Sequence, residues 1–350
     1  MVLKAGPSVK LAGKVLQAFC RAGKNCGMMF GGRSPLGRMP SAPGSIAPSP
    51  LAQKRGKEAL HMKTLGYYNG EYGPLEQMRV PMNDRVCFFG DGVYEATTVE
   101  NHIPYALDEH LQRMERSAAK LEIPLPMELQ ALRETLLEMT AKLDSGSSQL
   151  YWQLTRGTAP RTHAFPKDAR PNLWITLRPF SMRDPNLSYG LLSVPDTRYF
   201  HCDVKTLNLI PNVMAAERAA RAGCEEAVFH RDGMVTEGSH SNMHILKNGV
   251  LQTAPLSNLI LPGITRAQLL KLAREMGVPV LEKAFTLQEM FQADEAFFTS
   301  ASAFCCRAST LDGKPIGGKD EALLSALRNA YLDKFRKETS AVNPYLEKRP

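Results

Sequence analysis

The sequence predicts an α+β fold in which mixed and antiparallel sheets are flanked by helices. Several Asn-Gly and Asp-Gly pairs lie between apolar, strand-like segments, and such pairs are the strongest short signal for a β-hairpin. These hairpins are interspersed with amphipathic helical segments, whereas a doubly wound sheet would need a regular alternation of strand and helix. The length of 350 residues is typical of about two domains.

The first half of the chain is predicted to form a small α/β domain, residues 62–180. The segment YYNGEYG places a hairpin turn at Asn69-Gly70. A helix is expected to begin near Asp108, which can cap it, because apolar residues recur on one face after this position. Those residues are Leu111, Met114, Ala118 and Leu121. A second helix over about 127–143 and the strands QLYWQLTRG and NLWITLRPF complete the domain.

The second half is predicted to form a larger domain, residues 191–340, after a linker at 181–190 and before a tail at 341–350. Tight turns are expected at three pairs, Asp232-Gly233, Asn248-Gly249 and Asp312-Gly313. Helices are expected at about 212–222, 265–276, 287–293 and 320–337. The two halves show no internal sequence repeat.

Residues 1–61 differ in composition from the rest and are expected to be a disordered basic leader rich in Gly, Pro and Ser. Most of the net charge of +8 comes from this leader, because it holds ten of the 43 Lys and Arg but one of the 35 Asp and Glu. The remaining body is close to neutral, so no nucleic-acid partner is expected. The leader is either an organelle transit peptide or an over-extended start ahead of Met62. The protein is therefore expected in the cytoplasm, or in an organelle if the leader is a transit peptide.

The seven cysteines have neither the paired spacing of a metal site nor the pattern of a small disulfide framework. Reduced thiols and no metal site are the expectation. The sequence has no run of about 18 apolar residues, so no membrane span is expected.

One lysine in the stretch FHCDVKTLNLIPN, Lys205, lies just ahead of the apolar residues Leu207, Leu209 and Ile210. Taken alone, it is explained by a carbon stem that covers apolar surface while the nitrogen stays in water. A partly desolvated lysine can instead lose basicity, become an amine nucleophile and hold an aldehyde cofactor as a Schiff base. Residues elsewhere in the chain must distinguish these alternatives.

Four other segments contain residue types that a phosphorylated pyridine aldehyde requires. Glu237 in VTEGSHSN can keep a ring nitrogen protonated, although it can also be a turn cap. In LPGITRAQLL, Gly263 and Thr265 open a helix whose N–H groups can bind phosphate, or they form an ordinary capped turn. Arg113 can grip the same phosphate, although an arginine on a helix surface is usually solvated. The segment FFTSASA, residues 297–303, suits a buried strand that ends at a phosphate.

Taken together, CDVKTLNLIPNV, VTEGSHSN, LPGITR and FGDGVYEA resemble the class IV pyridoxal-phosphate aminotransferases in order and separation. The resemblance runs from about Met62 to about residue 340 and implies the fold type IV architecture with pyridoxal 5'-phosphate as cofactor. It implies that Lys205 holds the cofactor as a Schiff base and moves a proton, while Glu237 pairs with the pyridine nitrogen. The other implied contacts are Leu261 on the ring and, at the phosphate, Arg113, Ile264, Thr265 and Ser300.

The segment RGTAPRTHAFP, residues 156–166 and called the PRTH loop, separates branches of this family. Arg161, His163 and Tyr94 resemble the carboxylate-binding residues of the D-amino acid aminotransferases, in which the arginine and the histidine come from the partner subunit. The resemblance implies a homodimer that transaminates D-amino acids of the D-alanine and D-glutamate type with 2-oxo acids. Two departures, Ala301 in place of a threonine and His240 in place of a serine, bear on the substrate more than on the cofactor.

Other functions remain open from the sequence. An aminodeoxychorismate-type lyase would use the same lysine, but the PRTH loop argues against it. A branched-chain L-amino acid aminotransferase would be distinguished by the enantiomer that it consumes. A non-catalytic binding protein would require both Lys205 and Glu237 to be vestigial.

Overall fold

The computed structural model describes residues 62–346. The predicted disordered leader, residues 1–61, lies outside the described residues, as do the last four. The described residues form two sheets with helices packed on them, which confirms the predicted α+β class.

The first sheet is entirely antiparallel. Its strands are β1 (Leu65–Tyr68), β2 (Glu71–Gly73), β3 (Gly92–Glu100), β4 (Ile103–Pro104), β5 (Ser148–Thr155) and β6 (Asn172–Pro179). They pair in the order β2–β1–β6–β5–β3–β4. The helices of this half are α1 (Arg85–Phe89), α2 (Leu107–Lys120) and α3 (Leu129–Lys142). The apolar faces of α2 and α3 bury Met114 and Leu136 in one core with Trp152 of β5.

The prediction that Asp108 caps α2 is wrong. The helix begins at Leu107 after Ala106, whose backbone is left-handed, and no side chain caps it. Asp108 lies in the first turn, where the positive end of the helix dipole stabilises its negative carboxylate. It pairs with Arg133 of α3 at 2.9 Å, so it joins two helices where a cap was expected.

The second sheet is mixed. Its strands are β7 (Ser188–Pro195), β8 (Glu226–Arg231), β9 (Met234–Gly238), β10 (Asn242–Lys247), β11 (Val250–Thr253), β12 (Val280–Glu282), β13 (Glu295–Ser300), β14 (Ala303–Leu311) and β15 (Lys314–Pro315). Eight of them pair in the order β12–β11–β10–β13–β14–β7–β8–β9, and β15 pairs with β14. The pairs β11 with β12, β7 with β14 and β7 with β8 are parallel. The helices of this half are α4 (Ile210–Arg221), α5 (Ile264–Glu275), α6 (Leu287–Gln292) and α7 (Glu321–Thr339).

The predicted turns and helices of both halves are confirmed. In each of the four pairs predicted as tight turns, both residues have positive φ, which the tight hairpin turn requires. The predicted helices after 127 begin and end within two residues of their expected bounds. Local sequence therefore determined these elements.

The two sheets meet at the segment that contains Lys205. The main-chain N–H of Tyr94 in β3 donates to the carbonyl oxygen of Lys205 at 3.0 Å, and Leu207 donates to the carbonyl of Gly92 at 3.1 Å. The strands of the first sheet precede residue 180 and those of the second follow residue 187, as the predicted domain division requires. The division itself, at 62–180 and 191–340, stays a prediction.

Two kinds of feature are absent from residues 62–346. No helix there is long and apolar enough to cross a membrane. No group of three or more His, Cys, Asp or Glu side chains in the same range is placed to hold a metal ion.

Candidate active site

A cavity of about 360 Å³ lies at the junction of the two sheets. Its size is within the range of small-molecule sites, about 300–1,000 Å³. Most of the predicted site residues line it, namely Tyr94, Arg113, Lys205, Glu237, Leu261, Ile264, Thr265 and Ser300. Arg161 and His163 are not among its lining residues.

Lys205 presents its amine to an aromatic surface inside the cavity. It lies in the loop between β7 and α4 and is half-buried. Its Nζ is 4.1 Å from the centroid of the Tyr94 ring, and that ring stacks on Tyr151 at 5.4 Å. The Lys205 main-chain N–H donates to Ser117 Oγ of α2 at 3.3 Å. The contact with the Tyr94 ring and the main-chain hydrogen bonds of Lys205 to Ser117 and Tyr94 therefore hold the amine in the cavity.

Glu237 supplies a buried carboxyl group to the lining of the cavity. Its Oε2 accepts hydrogen bonds from the Leu261 main-chain N–H at 2.9 Å and from Asn242 Nδ2 at 3.2 Å. Its Oε1 pairs with Arg198. Burial raises the pKa of Glu237 to about 7, although Arg198 and the Leu261 N–H oppose this shift. The carboxyl group can therefore hold or release a proton near neutral pH.

Arg198 fixes the orientation of Glu237 through a second buried acid. Arg198 donates to both carboxylate oxygens of Asp196, each at 3.0 Å, and Arg231 lies 3.3 Å from the same group. Burial disfavours the charge on Asp196, but the hydrogen bonds and the charge of Arg198 lower the pKa of its carboxyl below the ordinary value. The chain Arg231, Asp196, Arg198 and Glu237 thus forms one charged network behind the cavity.

Arg113 is buried, so it is not the solvated surface arginine of the alternative interpretation. Its Nε and Nη2 donate to the two oxygens of Glu95 at 2.7 and 2.8 Å, and its Nη1 donates to the Pro262 carbonyl at 3.1 Å. His110 Nδ1 is 2.7 Å from the same carboxylate. Burial disfavours the charge of Glu95, but Arg113 and His110 lower its pKa to about 2. Arg113 is therefore held by an internal carboxylate at the edge of the cavity.

Helix α5 begins beside Arg113 with no side chain capping its first turn. The Thr265 hydroxyl donates to the Ser300 carbonyl at 3.0 Å, which ties this helix start to the end of β13. A Cβ atom at position 263 would lie 1.9 Å from Asn242 Oδ1, so only glycine fits there. Asn242 also donates to the Leu261 carbonyl at 3.1 Å. One asparagine thus joins the Glu237 end of the cavity to the helix end.

These donors fit a phosphorylated pyridine aldehyde. Such a group requires an amine for its aldehyde, an acid for its ring nitrogen and anion-binding donors for its phosphate. Lys205, Glu237 and the α5 start with Arg113 place these three kinds of group around one cavity and could hold the cofactor. The missing side chain at Gly263 lets Asn242 pack directly against the backbone of the helix start.

Arg161 and His163 do not meet Tyr94 within one chain. The Arg161 guanidinium lies 5.3 Å from the centroid of the Phe89 ring, and the His163 ring centroid is also 5.3 Å from it. Both side chains are exposed. The predicted carboxylate-binding trio is therefore not assembled by a single copy of the described residues.

The two departures from the expected pattern both line the cavity. Ala301 accepts a hydrogen bond from the Thr98 hydroxyl at 2.8 Å through its carbonyl, and its side chain offers no hydroxyl to a ligand. His240 is held through Nδ1, which is 2.9 Å from Ser239 Oγ and 3.2 Å from Glu226 Oε2.

Five residues of the site were missed by the sequence analysis, namely Glu95, His110, Asp196, Arg198 and Asn242. A signal for two of them existed, because His110 and Arg113 are three residues apart on the helix and so share its buried face. Buried cations require a buried acid, and Glu95 next to Tyr94 was available. Asp196 and Arg198 pair with each other two residues apart, but nothing local indicated that they meet Glu237, which is 39 residues from Arg198.

Comparison with known proteins identifies the family. Residues 92–310, more than half of the chain, match the family model described as amino-transferase class IV. A D-alanine aminotransferase of Bacillus licheniformis is 37% identical over 285 residues, covering 80% of this chain and 99% of that protein. The chain belongs to the class IV aminotransferases. The predictions of an aminotransferase and of a pyridoxal-phosphate enzyme are confirmed at this level.

Solved aminotransferase structures agree in fold. The branched-chain amino acid aminotransferase of Escherichia coli has a TM-score of 0.72 and 23% identity, covering 78% of this chain and 95% of that one. The branched-chain aminotransferase of the archaeon Thermoproteus uzoniensis, solved with norvaline, has a TM-score of 0.70 and 25% identity, covering 79% and 97%. These similarities confirm the fold type IV prediction.

His244 of this class IV aminotransferase is buried behind the cavity and predicts an acid-sensitive stability. Its ring stacks on Phe297 with centroids 5.0 Å apart, and its Nε2 is 2.9 Å from Thr299 Oγ1. Burial, with the charge of Arg266, lowers the pKa of His244 to about 3. The unfolded chain takes up this proton below about pH 6.5, whereas the folded protein resists it until about pH 3. Stability from this residue is therefore complete above pH 6.5 and is lost as the pH falls.

We expect His244→Phe to reduce this loss. Between pH 6.5 and 4.5 the wild-type free energy of unfolding should fall by roughly 2 to 3 kcal/mol more than that of the variant, at about 1.4 kcal/mol per pH unit. Urea unfolding of both proteins at pH 7.5, 5.5 and 4.5 measures the difference. Equal pH dependence in the two proteins would show that His244 is protonated in the folded state.

Proposed function

We propose that this chain is a pyridoxal-phosphate-dependent transaminase of D-amino acids, of the D-alanine and D-glutamate type, with 2-oxo acids as acceptors. The observation that carries the proposal is that Lys205 and the buried Glu237 line the same cavity, in a chain that is 37% identical to a D-alanine aminotransferase. The amino acid donor and the oxo acid acceptor use the same cavity in turn.

Lys205, Glu237 and the α5 start hold the cofactor in this proposal. The bound cofactor supplies an electron sink for the charge that develops at the substrate Cα. Lys205 Nζ would first act as a general base that removes the proton from the substrate Cα. It would then act as a general acid that delivers this proton to the former aldehyde carbon of the cofactor. The face of the Tyr94 ring contacts this amine, since its centroid lies 4.1 Å from Nζ.

Glu237 keeps a proton at the far end of the ring. A pKa of about 7 leaves the carboxyl able to share its proton with a ring nitrogen, and the Leu261 N–H and Asn242 hold it in place. Leu261 packs on the ring, while Arg113, Ile264, Thr265 and Ser300 hold the phosphate. Arg113 contributes its remaining N–H donors, because Glu95 keeps its guanidinium at the edge of the cavity.

The proposed substrate class is tested by the enantiomer that reacts. D-alanine and L-alanine are added separately to the purified holoenzyme with 2-oxoglutarate, and pyruvate formation is measured with the change in the cofactor spectrum. D-alanine should react and L-alanine should not. Faster transamination of L-leucine or L-valine than of any D-amino acid would instead assign the branched-chain function. Release of pyruvate from an aminodeoxychorismate without transfer of the amino group would assign the lyase.

A homodimer with shared sites is also proposed. Arg161 and His163 are exposed and lie outside the cavity of their own chain, as residues that serve a partner's cavity would. Large exposed apolar side chains near the PRTH loop and near the cavity support an interface between copies, because such groups are seldom left in water together. They are Phe88, Phe165, Tyr199, Phe200 and Ile210.

Mixing the inactive Lys205→Ala with Arg161→Ala tests the shared site at a D-alanine concentration far below the raised KM of Arg161→Ala, where neither variant alone has appreciable activity. If Arg161 serves the partner's cavity, a dimer of one Lys205→Ala chain and one Arg161→Ala chain has one site with both changes and one intact site. Co-refolding equal amounts should then restore about a quarter of wild-type activity, since half of the dimers are mixed. If Arg161 acts in its own chain, every site carries one change and no activity returns. Co-purification of an untagged Arg161→Ala chain with an affinity-tagged Lys205→Ala chain confirms that mixed dimers have formed.

A further inference from the structure

Two arginines share the carboxylate of Asp91 at the start of β3. Arg85 Nε is 2.7 Å from Asp91 Oδ2, and Arg156 Nε is 2.9 Å from the same oxygen. The exposed fractions of the three side chains are 3% for Arg85, 8% for Arg156 and 11% for Asp91. One acid cannot neutralise two buried cations, so their other donors must find acceptors elsewhere.

Those acceptors lie at the PRTH loop and at the end of α2. Arg85 Nη1 donates to the Thr162 carbonyl at 2.6 Å. Thr162 is the residue between Arg161 and His163, so this bond holds the backbone from which both side chains extend. Arg156 donates to the carbonyls of residues 121 and 122 at 2.7 and 3.0 Å.

The short helix α1 gives the same loop a second support. The Phe89 ring lies near three groups that bear on this loop, the Arg85 guanidinium at 4.8 Å, the Arg161 guanidinium at 5.3 Å and the His163 ring at 5.3 Å, as well as the Phe88 ring at 6.2 Å. At the far end of the loop, the Arg156 guanidinium lies 3.5 Å from the centroid of the Phe165 ring. An exposed loop is thus fixed at both ends by arginines that are bound to one acid.

We propose that Asp91 and Arg85 are positioning residues for the substrate carboxylate, because they preorganise Arg161 and His163 before the substrate arrives. The inference rests on the proposed function, in which these two side chains bind that carboxylate. Preorganisation matters because the loop is exposed, and a displacement of about 1 Å in a binding group can cost roughly 100-fold in rate. Arg85 touches neither the cavity nor the reacting atoms and acts only through the loop.

The test replaces Arg85 by glutamine in the holoenzyme. Arg85→Gln removes the fork between Asp91 and Thr162, while Arg156 still neutralises Asp91. We expect the KM for D-alanine to rise roughly ten-fold, as for one charge-assisted hydrogen bond, with kcat within about three-fold of wild type. Arg336→Gln, on the exposed face of α7, is the matched control and should change neither constant. A variant with unchanged KM would overturn the inference.

A double-mutant cycle separates positioning from general support of the fold. If Arg85 acts through Arg161, adding Arg85→Gln to Arg161→Ala should raise KM by less than about two-fold further. A second full ten-fold rise would mean that Arg85 acts independently of Arg161, contrary to the proposal. If Arg161→Ala alone leaves the KM for D-alanine unchanged, the proposed carboxylate site itself fails, and this result is distinct from the other two.

Hydrogen exchange provides a readout that does not depend on turnover. Amides of the PRTH loop should exchange faster in Arg85→Gln, with or without cofactor, while amides of α7 should be unaffected. Phe89→Leu removes the ring that contacts Arg161 and His163 without leaving a charge unpaired. It is the replacement variant if Arg85→Gln does not fold. It should raise KM and loop exchange together, and a rise in neither would exclude the preorganised loop.

Discussion

Lys205→Ala is expected to abolish transamination and the covalent link to the cofactor. The amine is the only one that a described residue presents to the cavity, so nothing there replaces it as nucleophile or base. Loss of the proton transfer alone should lower kcat by roughly 10²- to 10⁴-fold. Turnover with D-alanine and 2-oxoglutarate measures the rate, and borohydride reduction followed by mass spectrometry measures the covalent link.

A lysine outside the cavity controls for the loss of a positive charge. Lys271→Ala, in an exposed position of α5, should keep the rate, the link and the visible absorbance. Retention of a borohydride-reducible link at the active site of Lys205→Ala would remove the central assignment. The variant should fold, because Lys205 is only half-buried and its main-chain bonds to β3 remain. Circular dichroism checks this expectation.

Glu237→Gln is expected to retain the cofactor but to slow turnover by on the order of 100-fold. The amide keeps an acceptor for the Leu261 N–H, and Arg198 remains paired with Asp196, so the fold should survive. What is lost is a carboxyl whose pKa of about 7 allows it to share a proton with the ring. Single-turnover kinetics with D-alanine measure the slow step directly, and absorbance measures the bound cofactor.

The control for this change is Glu217→Gln on the exposed surface of α4, which should leave kcat and cofactor content unchanged. An unchanged kcat in Glu237→Gln would mean that the carboxyl is only structural. A loss of bound cofactor without a change in kcat per bound cofactor would assign it to binding alone.

Much of the local structure could be predicted because it depends on neighbours in the chain. The turns at Asn69-Gly70 and Asn248-Gly249 need two residues that tolerate positive φ, and this preference is carried by the residues themselves. Helix α5 followed from the period of its apolar residues. Helix α2 begins near Asp108 as predicted, but its N-cap is the left-handed Ala106, two positions before the predicted cap, and no side chain caps it.

The buried charges of the site could not be predicted in the same way. Glu95 and Arg113 are 18 residues apart, and Glu237 and Arg198 are 39 apart. Each pair forms only because strands and loops from separate segments meet in a medium where an unpaired charge is costly. The sequence indicated which residue types were present but not which acid would meet which base.

By itself the sequence determined the α+β class, the helices and tight turns, and the family motifs from which Lys205 is proposed as the reactive lysine, because these are set by residue type and short-range order. Only the tertiary structure decided that Glu237 is buried against Arg198, that Glu95 holds Arg113, and that Arg161 lies on Phe89 outside its own cavity. The reason is physical. A pKa, an ion pair or an exposed fraction depends on the groups that surround a side chain in space, and the folded chain brings these groups from positions that no local pattern connects.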